Sequence, residues 1–244
     1  MNLVVDIGNT RTKFSVFNKG EVLITVPVNE FLPEHVDVLQ NEHPELRKAI
    51  ISSVKDYSPE LKKALHDKFD YFLELDAKTP LPIENCYKTP DTLGKDRIAA
   101  AVGGFDLHPN TNLLIIDAGT AITYDILNEK HQFLGGNISP GIEMRYKALH
   151  QFTGKLPLIK RKKINKLYGS STEEAIQAGV QNGVAFEVDK AIDTFKEFYT
   201  NLKVIITGGD ADFFDKKLKN SFFVNFNLTA LGLNRILEYN GEIQ

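Results

Sequence analysis

The chain opens on Asn2-Leu3-Val4-Val5-Asp6-Ile7-Gly8-Asn9-Thr10, and a near-copy returns as Leu113-Leu114-Ile115-Ile116-Asp117-Ala118-Gly119-Thr120. In both places an apolar run of strand type ends in an aspartate, and a glycine-containing turn with a hydroxyl residue leads into a second strand. Glycine lets the backbone turn tightly and bring N–H groups close to phosphate oxygens; threonine adds a hydroxyl donor, and aspartate holds a cation or a water. A single copy is weak, because Asp, Gly, Asn and Thr are ordinary turn residues. Two copies at equivalent places point to a duplicated domain with a nucleotide clamped between the halves.

At 244 residues the chain has room for one large domain or two of about 100 to 140 residues. Apolar residues at 42% and charged residues at 25% exclude disorder and coiled coil. A net charge of −3 and a pI near 6.1 give no general attraction to nucleic acid or to an anionic membrane. The four-residue basic stretch Lys160-Arg161-Lys162-Lys163 has no interleaved aromatics and reads as a solvated loop. Cys86 is the only cysteine, so neither an intrachain disulfide nor a thiolate metal cluster is available, and no two histidines have ligand spacing. Without a basic leader or a run of about 18 apolar residues, the expectation is a cytoplasmic protein that handles small molecules and binds neither nucleic acid nor membrane.

Residues 3–7, 12–17 and 20–28 read as a three-strand meander, followed by a helix over 33–46, a strand over 49–54, a helix opened by Ser58-Pro59, and a strand over 69–75. After a breaker-rich loop at 78–82 and a helix from Ile98, the strand-turn-strand pattern restarts at Leu113. The run 135–141 reads as a Gly-rich loop before a helix over 143–152. A long helix is predicted over 172–202, a strand over 204–206, and a turn at Thr207-Gly208-Gly209-Asp210 that opens another helix and suits an adenosine moiety. Mixed elements in two similar halves give an α/β architecture with a boundary near 110: 1–110 and 111–244.

No Walker A pattern is present and no G-x-G-x-x-G follows a strand, which excludes P-loop and Rossmann sites. If the two turns hold a nucleoside triphosphate, phosphoryl transfer needs positioning, charge compensation and a base for the attacking hydroxyl. Asp96 has the chemistry of that base and Arg97 that of an anion clamp, although an acid in a first helical turn also complements the helix dipole. Lys13, in the strand after the first turn, is placed to reach back to phosphates or simply to face solvent. Ser171 and Glu174 form a capping-box pattern around Thr172, and Gly179 and Gly183 leave one helix face bare, for a subunit contact or for packing on the sheet.

Together these residues resemble the type III pantothenate kinases, in the acetate kinase, sugar kinase, heat-shock protein and actin superfamily. The resemblance spans essentially the whole chain. It rests on Asp6-Ile-Gly-Asn-Thr10 with Lys13, Tyr87 with Pro90 and Gly94-Lys-Asp-Arg97, Asp117-Ala-Gly-Thr-Ala121, Gly135-Gly-Asn-Ile-Ser-Pro-Gly141, and Thr172 with Glu174-Ala-Ile176 and Gly179. It implies duplicated ribonuclease H-like (actin-like ATPase) domains with a nucleotide cleft between them, and transfer of the ATP γ-phosphoryl group to the primary hydroxyl of pantothenate, the first step towards coenzyme A. By that resemblance Asp6, Ile7, Gly8, Asn9, Thr10, Arg11, Thr12, Lys13 and Thr120 bind ATP with its magnesium, and Asp96 is the general base. Tyr87, Gly94, Lys95, Asp96, Arg97 and Thr172 hold pantothenate, and Asp117 binds potassium or ammonium. The resemblance also implies a homodimer whose active sites are shared between subunits. Lys55-Asp56 depart from the family pattern, as does Ala118 where many relatives carry cysteine.

Two other functions compete. A phosphatase or polyphosphatase on the same scaffold uses water as acceptor and leaves the Tyr87 and Gly94–Arg97 group without a purpose. A non-enzymatic regulator has no need of Asp6 or Asp96, and both are present.

Overall fold

A computed structural model of the chain describes residues 1–243. It has two compact units that are not consecutive stretches of chain. One joins 1–111, 127–135 and the segment from Asn227; the other joins 112–126 and 136–226.

In the first unit β1 (Asn2–Ile7), β2 (Thr12–Asn18) and β3 (Glu21–Val28) form an antiparallel meander. After α1 (Pro33–Glu42), β4 (Lys48–Ser53) runs parallel to β1, and after α2 (Pro59–Lys68), β5 (Tyr71–Glu74) runs parallel to β4, giving the order β3-β2-β1-β4-β5. The period of two sends Leu3, Val5 and Ile7, with Phe14 and Val16, to one face, where they meet Val36 and Leu39 of α1 and Leu61 and Leu65 of α2. Helix α1 stops at Glu42 instead of continuing to 46 because Pro44 bars the helical conformation from His43, which sits at φ −130°, ψ 75°.

The opposite face carries α3 (Lys95–Leu107) and α6 (Leu228–Glu242); Asn2, one residue out of phase with Leu3, donates to Asn234 of α6 at 2.8 Å. The two helices meet backbone to backbone. A Cβ on Gly103 would lie 2.2 Å from the Leu228 carbonyl oxygen, and one on Gly232 would lie 1.7 Å from that of Ala99. β6 (Glu84–Asn85) completes the unit by pairing in parallel with residues 132 and 133.

The second sheet repeats the plan. β7 (Leu113–Ala118), β8 (Ala121–Leu127), β9 (Gln132–Pro140), β10 (Lys203–Thr207) and β11 (Phe223–Val224) lie in the order β11-β10-β7-β8-β9, with β6 added as a sixth strand outside β9, β10 parallel to β7 and β11 parallel to β10. Read from the third strand to the fifth of each repeat, both sheets have the order 3-2-1-4-5. α4 (Ile142–Gln151) and the 27-residue α5 (Thr172–Phe198) follow β9, and Val180, Val184, Val188 and Ile192 of α5 cover Leu114 and Ile116 of β7. The run 135–140 is strand rather than loop: a Cβ on Gly136 would lie 1.8 Å from the Tyr124 carbonyl oxygen, so the missing side chain lets that strand pass against β8. Beyond Asp210 the chain makes a short 3₁₀ turn over Ala211–Phe214 instead of an α-helix.

Candidate active site

The first turn is a tight hairpin. Gly8 N–H donates to the Arg11 carbonyl at 3.1 Å, and the enclosed Asn9 and Thr10 are exposed together with Arg11. Strand alternation divides its residues. Ile7 and Thr12 are 4% and 1% exposed and face the core, so a ligand meets only their backbone, whereas Asp6 and Lys13 lie opposite each other on the other face. Burial pushes the Asp6 carboxyl up to about 6, the Asp96 carboxylate adds to the rise, and Lys13 opposes it. Asp6 and Asp96, 90 positions apart in the chain, therefore share one electrostatic environment.

The sign of that shift has a stability consequence. A carboxyl that binds its proton more tightly when folded favours folding below its unfolded value of 3.8, and that contribution is lost as pH rises to about 6. Asp6→Asn is expected to be more stable than the wild type above pH 6, by about 1–3 kcal/mol, with a correspondingly higher unfolding temperature, and to match it near pH 3.5. Thermal unfolding across this range checks it; a variant less stable at pH 7.5 would show that the Lys13 attraction outweighs desolvation.

Asp96 is the second residue of α3, whose N-cap is Gly94, and its Oδ1 accepts the Arg97 backbone N–H at 2.8 Å. Arg97 is 6% exposed, with its guanidinium carbon 5.6 Å from the centre of the Tyr87 ring. Tyr87 follows β6; its N–H donates to Asn85 Oδ1 at 3.0 Å, and its ring lies against Phe133 and over Gly135, where a Cβ would come within 3.2 Å of two ring carbons. Gly135 has φ +110°, a conformation that itself favours glycine. Tyr87, Asp96 and Arg97 are thus brought together in one unit. Lys95 instead lines a cleft of about 510 Å³ with Ser53, Lys55, Tyr57, Lys62 and Glu74. The Lys55-Asp56 departure borders the same cleft.

Gly94 has φ −56° and ψ 127°, which any residue adopts, yet a Cβ there would sit 2.5 Å from Asp96 Oδ1. Gly94→Ala is expected to leave the unfolding temperature within a degree or two, because the carboxylate can swing away, and to lower kcat about tenfold or more by displacing it. Wild-type kcat in that variant would show that the position of this carboxylate is not critical.

In the second unit Asp117 is the penultimate residue of β7, and Gly119 N–H donates to the Ala121 carbonyl at 2.9 Å, which puts the single residue Thr120 at the tip. This turn is one residue shorter than its counterpart. Its backbone is held from two sides: Gly141 N–H donates to the Thr120 carbonyl at 3.1 Å, and Gly208, at φ +90°, lies so close that a Cβ would be 2.4 Å from Asp117 Oδ1. Gly208 therefore packs on Asp117, a contact that the local turn pattern does not disclose. Arg145 was also invisible in the sequence. It donates to the Pro140 carbonyl and to Ser139 Oγ, each at 2.9 Å, and pairs with Glu187 at 2.5 Å, which anchors the segment that holds Thr120.

Thr172 is the exposed first residue of α5. Ser171 Oγ caps the helix by accepting Glu174 N–H at 3.3 Å, but the Glu174 carboxylate accepts from Ser170, through N–H at 3.0 Å and Oγ at 2.9 Å, and not from the Ser171 amide. The capping box is therefore half formed, with Lys166 and Ser170 holding the Glu174 pKa down to about 2. The basic stretch is tied to acids: Arg161 pairs with Asp210 at 2.6 Å and Lys162 with Glu173 at 3.1 Å.

Two sheets of the same order, each presenting an aspartate at the end of its first strand before a glycine turn, define a phosphoryl-transfer protein of the actin-like ATPase and sugar-kinase fold. Solved structures support that fold. A glucokinase from an Antarctic psychrotroph aligns with a TM-score of 0.55 at 12% identity over 98% of each chain. The activator of the 2-hydroxyisocaproyl-CoA dehydratase from Clostridium difficile aligns at 0.53 and 14% identity over 100% of this chain and 98% of its own. A family model described as type III pantothenate kinase matches residues 2–194. Proteins named type III pantothenate kinase from Christiangramia forsetii and Phocaeicola vulgatus are 45% and 43% identical, over 98% and 100% of this chain and 99% and 100% of theirs. The chain belongs to the type III pantothenate kinase family.

Proposed function

We propose that this chain transfers the γ-phosphoryl group of ATP to the primary hydroxyl of pantothenate, giving 4'-phosphopantothenate for coenzyme A synthesis, with Asp96 as the general base. The observation that carries the residue assignment is the joint environment of Asp6 and Asp96. One carboxylate sits at a phosphate-type turn, and the other sits at a helix start beside an arginine stacked on a tyrosine. The backbone N–H groups of the first turn, with Lys13, hold the phosphates, and Thr120 at the tip of the second turn offers a hydroxyl and a backbone N–H of the same kind. Arg97 and Tyr87 orient the acceptor, its carboxylate suiting the guanidinium, while Asp96 takes the hydroxyl proton as the oxygen attacks phosphorus.

ATP arrives with a divalent cation. Among the described residues no cluster of three or more His, Cys, Asp or Glu side chains forms a cage, so the donors that fit it are Asp6, water and the phosphates themselves; the cation spreads the charge of the transferring group. Asp117, a single carboxylate at the second turn, suits a potassium or ammonium ion. Replacing potassium by a bulky organic cation is expected to reduce the rate at least several-fold, and equal rates in both salts would remove that role from Asp117.

A homodimer fits the stripe of α5 formed by the exposed Ala175 and Gly179, the half-buried Gly183 and the 61%-exposed Phe186. Leu167 and Tyr168 extend it, since Asn182 holds the Lys166 and Leu167 carbonyls at 2.9 and 3.0 Å. This patch begins one turn beyond Thr172, so a twofold contact through it carries Thr172 towards the partner's acceptor site. No helix among the described residues is long and apolar enough to cross a membrane, consistent with work in the cytoplasm. A coupled ADP-release assay with and without pantothenate tests the reaction: release that depends on pantothenate supports the kinase, and equal release without it supports a hydrolase.

A further inference from the structure

Ser52 has no task in the scheme above, yet its chemistry requires one. It is 1% exposed, and its Oγ is sealed from solvent without a hydrogen-bond partner. The neighbouring Ser53 hydroxyl, by contrast, donates to the Lys55 carbonyl, and Ser15 Oγ meets Thr25 Oγ1 at 2.8 Å. A buried hydroxyl without a partner is destabilising, and alanine at the same place would fold at least as well. The parallel register of β1 and β4 pairs Ser52 with Asp6, so the two side chains leave the same face of the sheet on adjacent strands. The orphaned donor therefore stands beside the carboxylate of the first turn, in the environment that Asp96 shares.

This is a set of hard oxygens with one proton to donate, too few to strip the water from a small divalent cation and suited to holding that water in place. We propose that Ser52 Oγ, itself out of reach of water, donates to the Asp6 carboxylate when that carboxylate turns to hold a water in the hydration shell of the divalent cation that accompanies ATP. Ser52 is thus a positioning residue, and the inference rests on the proposal that the first turn binds the nucleotide.

The test is calorimetric titration of ATP into the whole protein without pantothenate, once with magnesium and once with EDTA, for the wild type, Ser52→Ala and Asp6→Asn, together with thermal unfolding. Ser52→Ala is expected to unfold at the same temperature or higher and to bind magnesium-ATP about three- to tenfold more weakly, with metal-free ATP binding unchanged. A Ser52→Ala protein with wild-type magnesium-ATP affinity, or one that loses affinity equally in EDTA, overturns the assignment. If Asp6→Asn also keeps wild-type affinity for magnesium-ATP, the nucleotide reading of the first turn fails with it; if Asp6→Asn loses affinity and Ser52→Ala does not, only the role of Ser52 falls.

Discussion

Asp96→Asn is expected to lower turnover by about 10²- to 10⁴-fold while the protein folds normally and still binds pantothenate. Asparagine keeps an Oδ1 to accept the Arg97 N–H that Asp96 accepts at 2.8 Å, so the start of α3 survives, and Arg97 remains buried against Tyr87. What is lost, on the mechanism proposed above, is the basic oxygen for the acceptor's proton. The same substitution removes a negative charge near Asp6 and brings its raised pKa down, which offers a second readout by carboxyl titration. Steady-state kinetics with a pantothenate-binding measurement decide the matter. Near wild-type turnover would reduce Asp96 to a residue that complements its helix dipole.

Mixing two inactive proteins is expected to restore activity. Asp96→Asn supplies chains with an intact Thr172, and a bulky substitution at Thr172 supplies chains with an intact Asp96. If each site draws Thr172 from one chain and Asp96 from the other, random exchange makes about half the dimers mixed, and one site in each mixed dimer is whole. Recovery should approach roughly a quarter of wild-type activity. Exchange is verified by labelling, and the mixture is compared with each parent alone. No recovery after complete exchange would show that Thr172 serves its own chain or does no more than begin α5, behind the Ser171 cap.

Much of this candidate site was legible because its residue pattern is local. Asp6 and Asp117 each close an apolar strand just before a glycine turn, and both the strand and the turn are properties of a few consecutive residues. Asp96 and Arg97 follow Gly94 at a helix start for the same reason. The misreadings have a common cause. The 135–141 run has a loop's composition, but Gly136 is bare because the Tyr124 carbonyl passes where a side chain would be. Arg145 lies in an ordinary helical pattern, and only the folded chain shows it holding Ser139, Pro140 and Glu187.

What the sequence determined by itself is the repeated strand-turn-strand unit and the residue types it presents, because periodicity, glycine and helix-start chemistry act over about ten residues. Tertiary structure alone decided which distant groups share an environment. It joined α6 to α3 through Gly103 and Gly232, placed Ser52 beside Asp6, and raised the Asp6 pKa by burying it near a carboxylate 90 positions away. Burial and Coulomb interactions depend on distance in space, and no local pattern of residues encodes that distance.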